Sequence, residues 1–161
     1  MTKKHKIGCS IGIFFGTLTL CGTIFGIMGI FYNPYLAYRM VKYYSNDNNY
    51  LHITANIKKV DEWDYSEEDI SHYFYLDNIF VIETGDIWTT NHAFHIYSLD
   101  IKNTLNELNP SAGLEIECTV CDETFWPTFP FPVVQVSCKG KEILCYEDGK
   151  SALLRWAATV R

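Results

Sequence analysis

The stretch YYSNDNNYLHITANIKKVDEW, residues 43–63, decides the kind of domain that the chain forms. It begins with polar, turn-forming residues and then alternates apolar and polar side chains. Ile53, Ala55 and Ile57 fall on one side of an extended segment, and polar residues fall on the other. This period of two predicts a half-buried β-strand, which would open a folded domain at residues 50–161.

An apolar run without any charged side chain lies upstream, at residues 7–32. As an α-helix rising about 1.5 Å per residue, it is long enough to cross the roughly 30 Å hydrocarbon core of a membrane with some tilt. A cleaved signal peptide is the alternative, but its apolar part is shorter and a small-residue cleavage site should follow it. We therefore expect an uncleaved transmembrane helix at 7–32, preceded by a basic segment at 1–6 and followed by a juxtamembrane segment at 33–49.

Charge is distributed unevenly along the chain. Lys3, Lys4 and Lys6 lie directly before the apolar run. The positive-inside rule then places the N-terminus in the cytoplasm and the domain on the other side of the cell membrane. Residues 50–161 hold 8 basic and 18 acidic side chains, within a chain of net charge −6. An acidic domain repels phosphate backbones, so we expect membrane lipid as a partner and no nucleic acid.

Glycines recur on one side of the predicted membrane helix. Plotted at about 100° per residue, they fall within an arc of roughly 140°. Such a smooth face lets a second helix approach closely, which favours a membrane-protein partner or a homodimer. The alternative is that glycine is simply common in membrane helices. The predicted helix-packing residues are Gly8, Gly12, Gly16, Gly22 and Gly26.

The remaining sequence predicts a small mainly-β domain with a short helix between strands and a helix at its C-terminus. Three strands, a helix and two strands follow one another, which is the order of an OB-like barrel. A generic small β-sandwich or roll has the same local patterns and is the alternative. After the strand at 50–60, strands are predicted at 73–84, 92–99, 113–121 and 130–140, and residues 141–147 can pair with the last of them as a hairpin. A helix capped by Asp100 is predicted at 101–108, between the third and fourth strands, and a closing helix at 150–160, after Asp148-Gly149.

The sequence also resembles a group of short uncharacterised bacterial proteins. The similarity lies in the basic start, the single apolar span, NPYLAYRMVKYYSNDNNY at residues 33–50 and KEILCYEDGKSALLRW at residues 141–156. It implies one membrane span and a small β-rich domain outside the membrane. It includes no catalytic motif and implies no activity.

Four cysteines belong to the predicted domain. Cys118 and Cys138 lie at the ends of candidate neighbouring strands, and outside the cell a disulfide between them would be favoured. The alternative is that they are reduced, buried thiols that pack as small apolar side chains. Cys118 and Cys121 form a C-x-x-C pair, but on a strand their thiols would point to opposite faces, unlike a redox pair at a helix N-terminus. Cys138 and Cys145, or His92 and His95, could add two ligands to this pair, but the spacings match no familiar zinc ribbon.

Four large aromatic residues alternate with prolines in CDETFWPTFPFPVV, residues 121–134. Because proline is excluded from the middle of a sheet, this segment is expected to be a loop or an edge strand. Its aromatic side chains either cap the barrel core or form an exposed interaction loop. The residues of this candidate interaction loop are Phe125, Trp126, Phe129 and Phe131.

No sequence pattern selects a catalytic group. The acidic cluster within residues 61–69 is typical of a solvated loop and lacks the ligand spacing of a defined calcium site. The sequence therefore assigns no catalytic residue, no metal ligand and no cofactor. We expect a membrane-anchored protein that displays a binding or interaction domain outside the membrane. The alternatives are an accessory subunit assembled through the glycine face and an envelope enzyme of unrecognised chemistry.

Overall fold

The computed structural model describes residues 23, 26, 32–60, 70–90, 92–122 and 130–160. Among these residues, no helix is long and apolar enough to cross a membrane. Most of the run at 7–32 lies outside the described residues, so the transmembrane helix stays a prediction. The elements are α1 (32–44), a 3₁₀ turn (Asp47–Asn49), β1 (Tyr50–Val60), β2 (Ser71–Val81), β3 (Ile87–Trp88), β4 (Ala93–Tyr97), α2 (Ile101–Leu108), β5 (Glu115–Cys121), β6 (Phe131–Cys138), β7 (Lys141–Leu144) and α3 (Tyr146–Thr159).

Five of the strands close into a barrel. Their order around it is β1, β5, β6, β4 and β2, and β2 pairs with β1 to complete the circle. The β4–β6 pair is parallel and the other pairs are antiparallel. The short strand β3 extends the sheet from β2, and β7 pairs with β6. The prediction of a small mainly-β domain is thus confirmed.

The barrel interior is filled by the apolar side chains of the alternating strands. Ile53, Ala55 and Ile57 of β1 are buried, as their period-two pattern predicts. Helix α2 joins the same core through one apolar stripe, formed by Ile101, Leu105 and Leu108. The Asp100 carboxylate accepts the amide N–H of Asn103 at 3.0 Å, so the predicted N-cap is also confirmed.

A second apolar layer covers one side of the barrel. Met40 and Tyr44 of α1 are buried there with α3 and with residues of β4 and β6. Two further contacts fasten the end of α1: the Tyr43 hydroxyl donates to Asp122 at 2.7 Å, and the Tyr50 hydroxyl donates to the Tyr44 carbonyl at 2.8 Å. Helix α1 therefore packs as part of the domain.

The expected start of the closing helix is wrong. Helix α3 begins at Tyr146, so Asp148 and Gly149 lie inside its first turns and do not form a preceding turn. Gly149 is buried, and a Cβ added to it would lie 2.6 Å from the carbonyl carbon of Val134. The glycine is required because α3 rests directly on the backbone of β6.

Candidate functional site

A cluster of aromatic side chains lies on the outer side of β2 and β4. On β2, Phe74 points into the core, so its neighbours Tyr73 and Tyr75 point outward. The register places Tyr73 opposite His95, and their rings stack with centroids 5.5 Å apart and planes 29° apart. The Tyr75 ring lies edge-on to Tyr73 at 6.4 Å. The His72 ring also stacks against Tyr73, at 5.6 Å, and Tyr73 keeps 39% of its surface exposed.

His95 contributes no charge to this surface near neutral pH. Burial, and then repulsion by the nearby His72, lower the pKa of His95 to about 4. The imidazole is therefore neutral above roughly pH 5 and acts as a flat, polar-edged partner for the Tyr73 ring.

A groove continues from Tyr75 along β2. Two adjoining cavities of about 310 Å³ and 220 Å³ share Lys58, Leu76 and Thr90. Trp88 lines the larger cavity, and Tyr75 lines the smaller one, with the Lys59 ammonium 5.7 Å from its ring centroid. The groove thus combines aromatic side chains with polar groups. The polar side chains that line the larger cavity are Lys58, Asp77, Asn78, Thr89 and Thr90.

Irregular backbone on β1 and β2 shapes this groove. A register shift between Ile57 and Lys59 marks a β-bulge in the β1–β2 pair, and Lys58 and Lys59 are both exposed there. On β2, Asn78 has a left-handed φ of 53°, and its amide N–H donates to the Asp77 carboxylate at 3.0 Å. We call Tyr73, Tyr75, His95 and the groove together the β2 face.

A second polar feature is a row of hydrogen-bonded side chains on the outer side of β1, β5, β6 and β7. Gln135 Nε2 donates to the Glu142 carboxylate at 2.9 Å, which turns Gln135 Oε1 towards Thr119. The Thr119 hydroxyl donates to that oxygen at 2.6 Å, so His52 Nδ1, 2.9 Å from the hydroxyl oxygen, must be the donor to it. Thr119 is only 2% exposed.

The geometry of these hydrogen bonds fits a structural role better than a role in nucleophilic catalysis. The Thr119 proton is committed to Gln135, and a general base would need a ring nitrogen that accepts a proton from the hydroxyl. These hydrogen bonds cross-link four strands on the outer side of the sheet.

Two of the predicted site residues from the aromatic loop and the glycine face lie in the described part of the structure. Phe131 opens β6 and packs inward: its ring stacks on Phe94 at 5.3 Å and lies 6.3 Å from Trp88. Gly26 is helical and exposed, and a Cβ placed on it meets no atom within 4 Å. Outside the described residues lie Phe125, Trp126, Phe129, Gly8, Gly12, Gly16 and Gly22, whose roles stay predictions.

The disulfide predicted between Cys118 and Cys138 is not formed in this structure, where both are free thiols. The register places Cys118 opposite Val136, so the two cysteines do not face one another across the β5–β6 pair. Cys118 lies in the barrel core and Cys121 in the outer layer, as expected for a C-x-x-C pair on a strand. Burial raises the pKa of Cys118, which disfavours a reactive thiolate.

The β2 face was not singled out from the sequence. A signal for it exists, since YFY at residues 73–75 and HAFH at residues 92–95 place aromatic or imidazole rings on the polar side of two strands. Within the part of the chain that the structure describes, no group of three or more histidine, cysteine or acidic side chains is arranged to hold a metal ion.

Comparison of the chain with protein-family models, curated proteins and solved structures finds no match.

Proposed function

We propose that residues 7–32 anchor this protein in the cell membrane and that its barrel acts outside the cytoplasm by binding a ligand on the β2 face. The barrel is of the OB type in this proposal. Its five strands β1, β2, β4, β5 and β6, with α2 between the third and the fourth, support that assignment.

One observation carries the binding role: the exposed stack of Tyr73 on His95. It lies on the second and third strands of the barrel, and OB-folds bind their ligands on the face made by those strands. Exposed rings held in place by their neighbours are effective contacts because little side-chain freedom is lost on binding.

The packing of α1 supports the anchored arrangement. Tyr32, Tyr35 and Tyr38 are exposed along α1, in the segment that would leave the membrane, and tyrosine is enriched at membrane interfaces. In the 3₁₀ turn that follows α1, Asp47 accepts hydrogen bonds from Lys150 and Tyr146 of α3, which hold the pKa of its carboxyl group below the usual range. A helix fastened at this end would hold the barrel close to the bilayer.

Cysteine labelling in intact cells tests the topology. Asn48 is exposed in the 3₁₀ turn, so a membrane-impermeant maleimide should label Asn48→Cys and should not label Thr2→Cys. The partly exposed Cys138 and Cys145 are replaced by serine in both variants to remove background labelling. Labelling of Thr2→Cys alone would reverse the orientation and refute the proposed location.

A further inference from the structure

We infer that the β2 face binds an extended, uncharged oligosaccharide. This inference rests on the proposed binding function and assigns it a chemical class of ligand. Shape, chemistry and charge each contribute to the assignment.

The β2 face is long and open. The residues of β2 that contribute to it run from Tyr73 to Asn78, which is about 17 Å along a strand that rises roughly 3.3 Å per residue. The stack of Tyr73 on His95 lies at one end, and the groove lies at the other. A surface of this form suits a short segment of a polymer better than a compact metabolite, which would be enclosed in a deeper pocket.

The side chains of the face match the two kinds of surface on a sugar ring. The exposed part of Tyr73 and the rings of Tyr75 and Trp88 that line the groove offer apolar contacts for the C–H faces of a sugar. Asp77 and Asn78 line the adjoining groove and offer hydrogen-bond acceptors and donors for hydroxyl groups.

Charge argues against a polyanion. A polyanion bound without sequence preference needs a row of cations, because its affinity comes largely from counterion release. The β2 face carries Lys58 and Lys59 beside the carboxylate of Asp77, in a domain region with 8 basic and 18 acidic side chains. His95 adds no positive charge at neutral pH.

Calorimetric titration of the full-length chain in nanodiscs of uncharged lipid tests the inference. The probes are the β-1,4-linked hexasaccharides of glucose and of N-acetylglucosamine, and oligothymidylate serves as the polyanion. We expect saturable binding of at least one hexasaccharide, with a Kd that changes less than about twofold between roughly 50 and 200 mM salt. Oligothymidylate should not bind.

Two variants place the ligand on the β2 face. Tyr75→Ala removes a ring and should raise the Kd at least about fivefold. Asn78→Gly removes the amide while retaining a residue that adopts positive φ without strain, so it should weaken binding and leave the fold intact. Tyr38→Ala, a matched change at a 64% exposed tyrosine on α1, should leave the Kd unchanged.

Three results would overturn the inference. They are the absence of binding to both hexasaccharides, tighter binding of oligothymidylate than of either sugar, and sugar binding that neither Tyr75→Ala nor Asn78→Gly weakens. Oligothymidylate binding that Tyr75→Ala abolishes would keep the β2 face as a binding site and change only the ligand class. The cysteine labelling reports on the topology independently of all these results.

Discussion

Gly149 shows how one missing side chain sets the distance between a helix and a strand. In an ordinary helix, changing glycine to alanine stabilises by about 1 kcal/mol. Here the new Cβ would meet the carbonyl group of Val134, and α3 would have to move away from β6. We expect Gly149→Ala to lower the free energy of unfolding of a fragment spanning residues 32–161 by about 1–3 kcal/mol, measured by chemical denaturation.

A control for this change lies two residues further along α3. Ser151 is exposed on the same helix, so Ser151→Ala should be neutral or slightly stabilising. Equal stabilities of the Gly149→Ala fragment and its parent would contradict the close contact of α3 with β6.

His95 predicts a pH dependence of stability. Its pKa is about 4 in the folded protein and about 6.5 in the unfolded chain, so between these values the unfolded state binds more protons. The folded state is therefore most stable above pH 6.5, and this stability is lost progressively as the pH falls from 6.5 towards 4. From pH 7 to pH 5 the loss should be about 2 kcal/mol, read from denaturation curves at each pH.

His95→Gln isolates this effect, since it keeps a polar side chain but removes the titration. The variant should show a flatter stability profile between pH 7 and pH 5 than its parent. An unchanged slope would mean that a different group causes the pH dependence.

At the scale of elements, α1 belongs to the folded domain although it follows the predicted membrane span. Met40 is fully buried and Tyr44 is 2% exposed. A fragment that begins at residue 46 would lose both contacts and expose the outer apolar layer. We expect it to be less stable than the fragment at 32–161 by at least about 3 kcal/mol, seen as a lower melting temperature.

The matched control for this truncation changes α1 without touching the buried layer. Tyr38→Ala in the fragment at 32–161 should alter its stability by less than about 0.5 kcal/mol, because Tyr38 is exposed. Equal melting of the two fragments would show that α1 contributes nothing to the domain.

The sequence predicts the elements that are long enough to show a repeated alternation of apolar and polar residues. The strand β1 has eleven residues of alternating character, and its bounds are predicted correctly. The strand β3 has only two residues, too few for a period, and was missed. The start of α3 was misplaced because Asp148-Gly149 is a common turn dipeptide, whereas here the close approach to β6 requires the glycine.

At the scale of the whole molecule, the pairing of strands determines which side chains meet, and local sequence patterns do not specify that pairing. The period of β2 shows that Tyr73 and Phe74 face opposite sides, but only the position of β4 brings His95 beside Tyr73. Likewise, the sequence places Cys118 and Cys138 on neighbouring strands, but only the register shows that Val136 lies opposite Cys118, two residues before Cys138. Candidate sites built from side chains of distant strands are therefore the part of a structure that a single sequence predicts least well.

The circular strand order also determines how far the barrel can fold while the chain is still being synthesised. The strands β1 and β4 each keep one unpaired edge until β5 and β6 arrive, more than thirty residues after β4 in the case of β6. At a synthesis rate of about 5–20 residues per second, the edge of β4 would stay unpaired for roughly 2–8 s before β6 is made. Exposed strand edges pair readily with other chains, so a nascent chain of this protein would need protection from aggregation while it emerges.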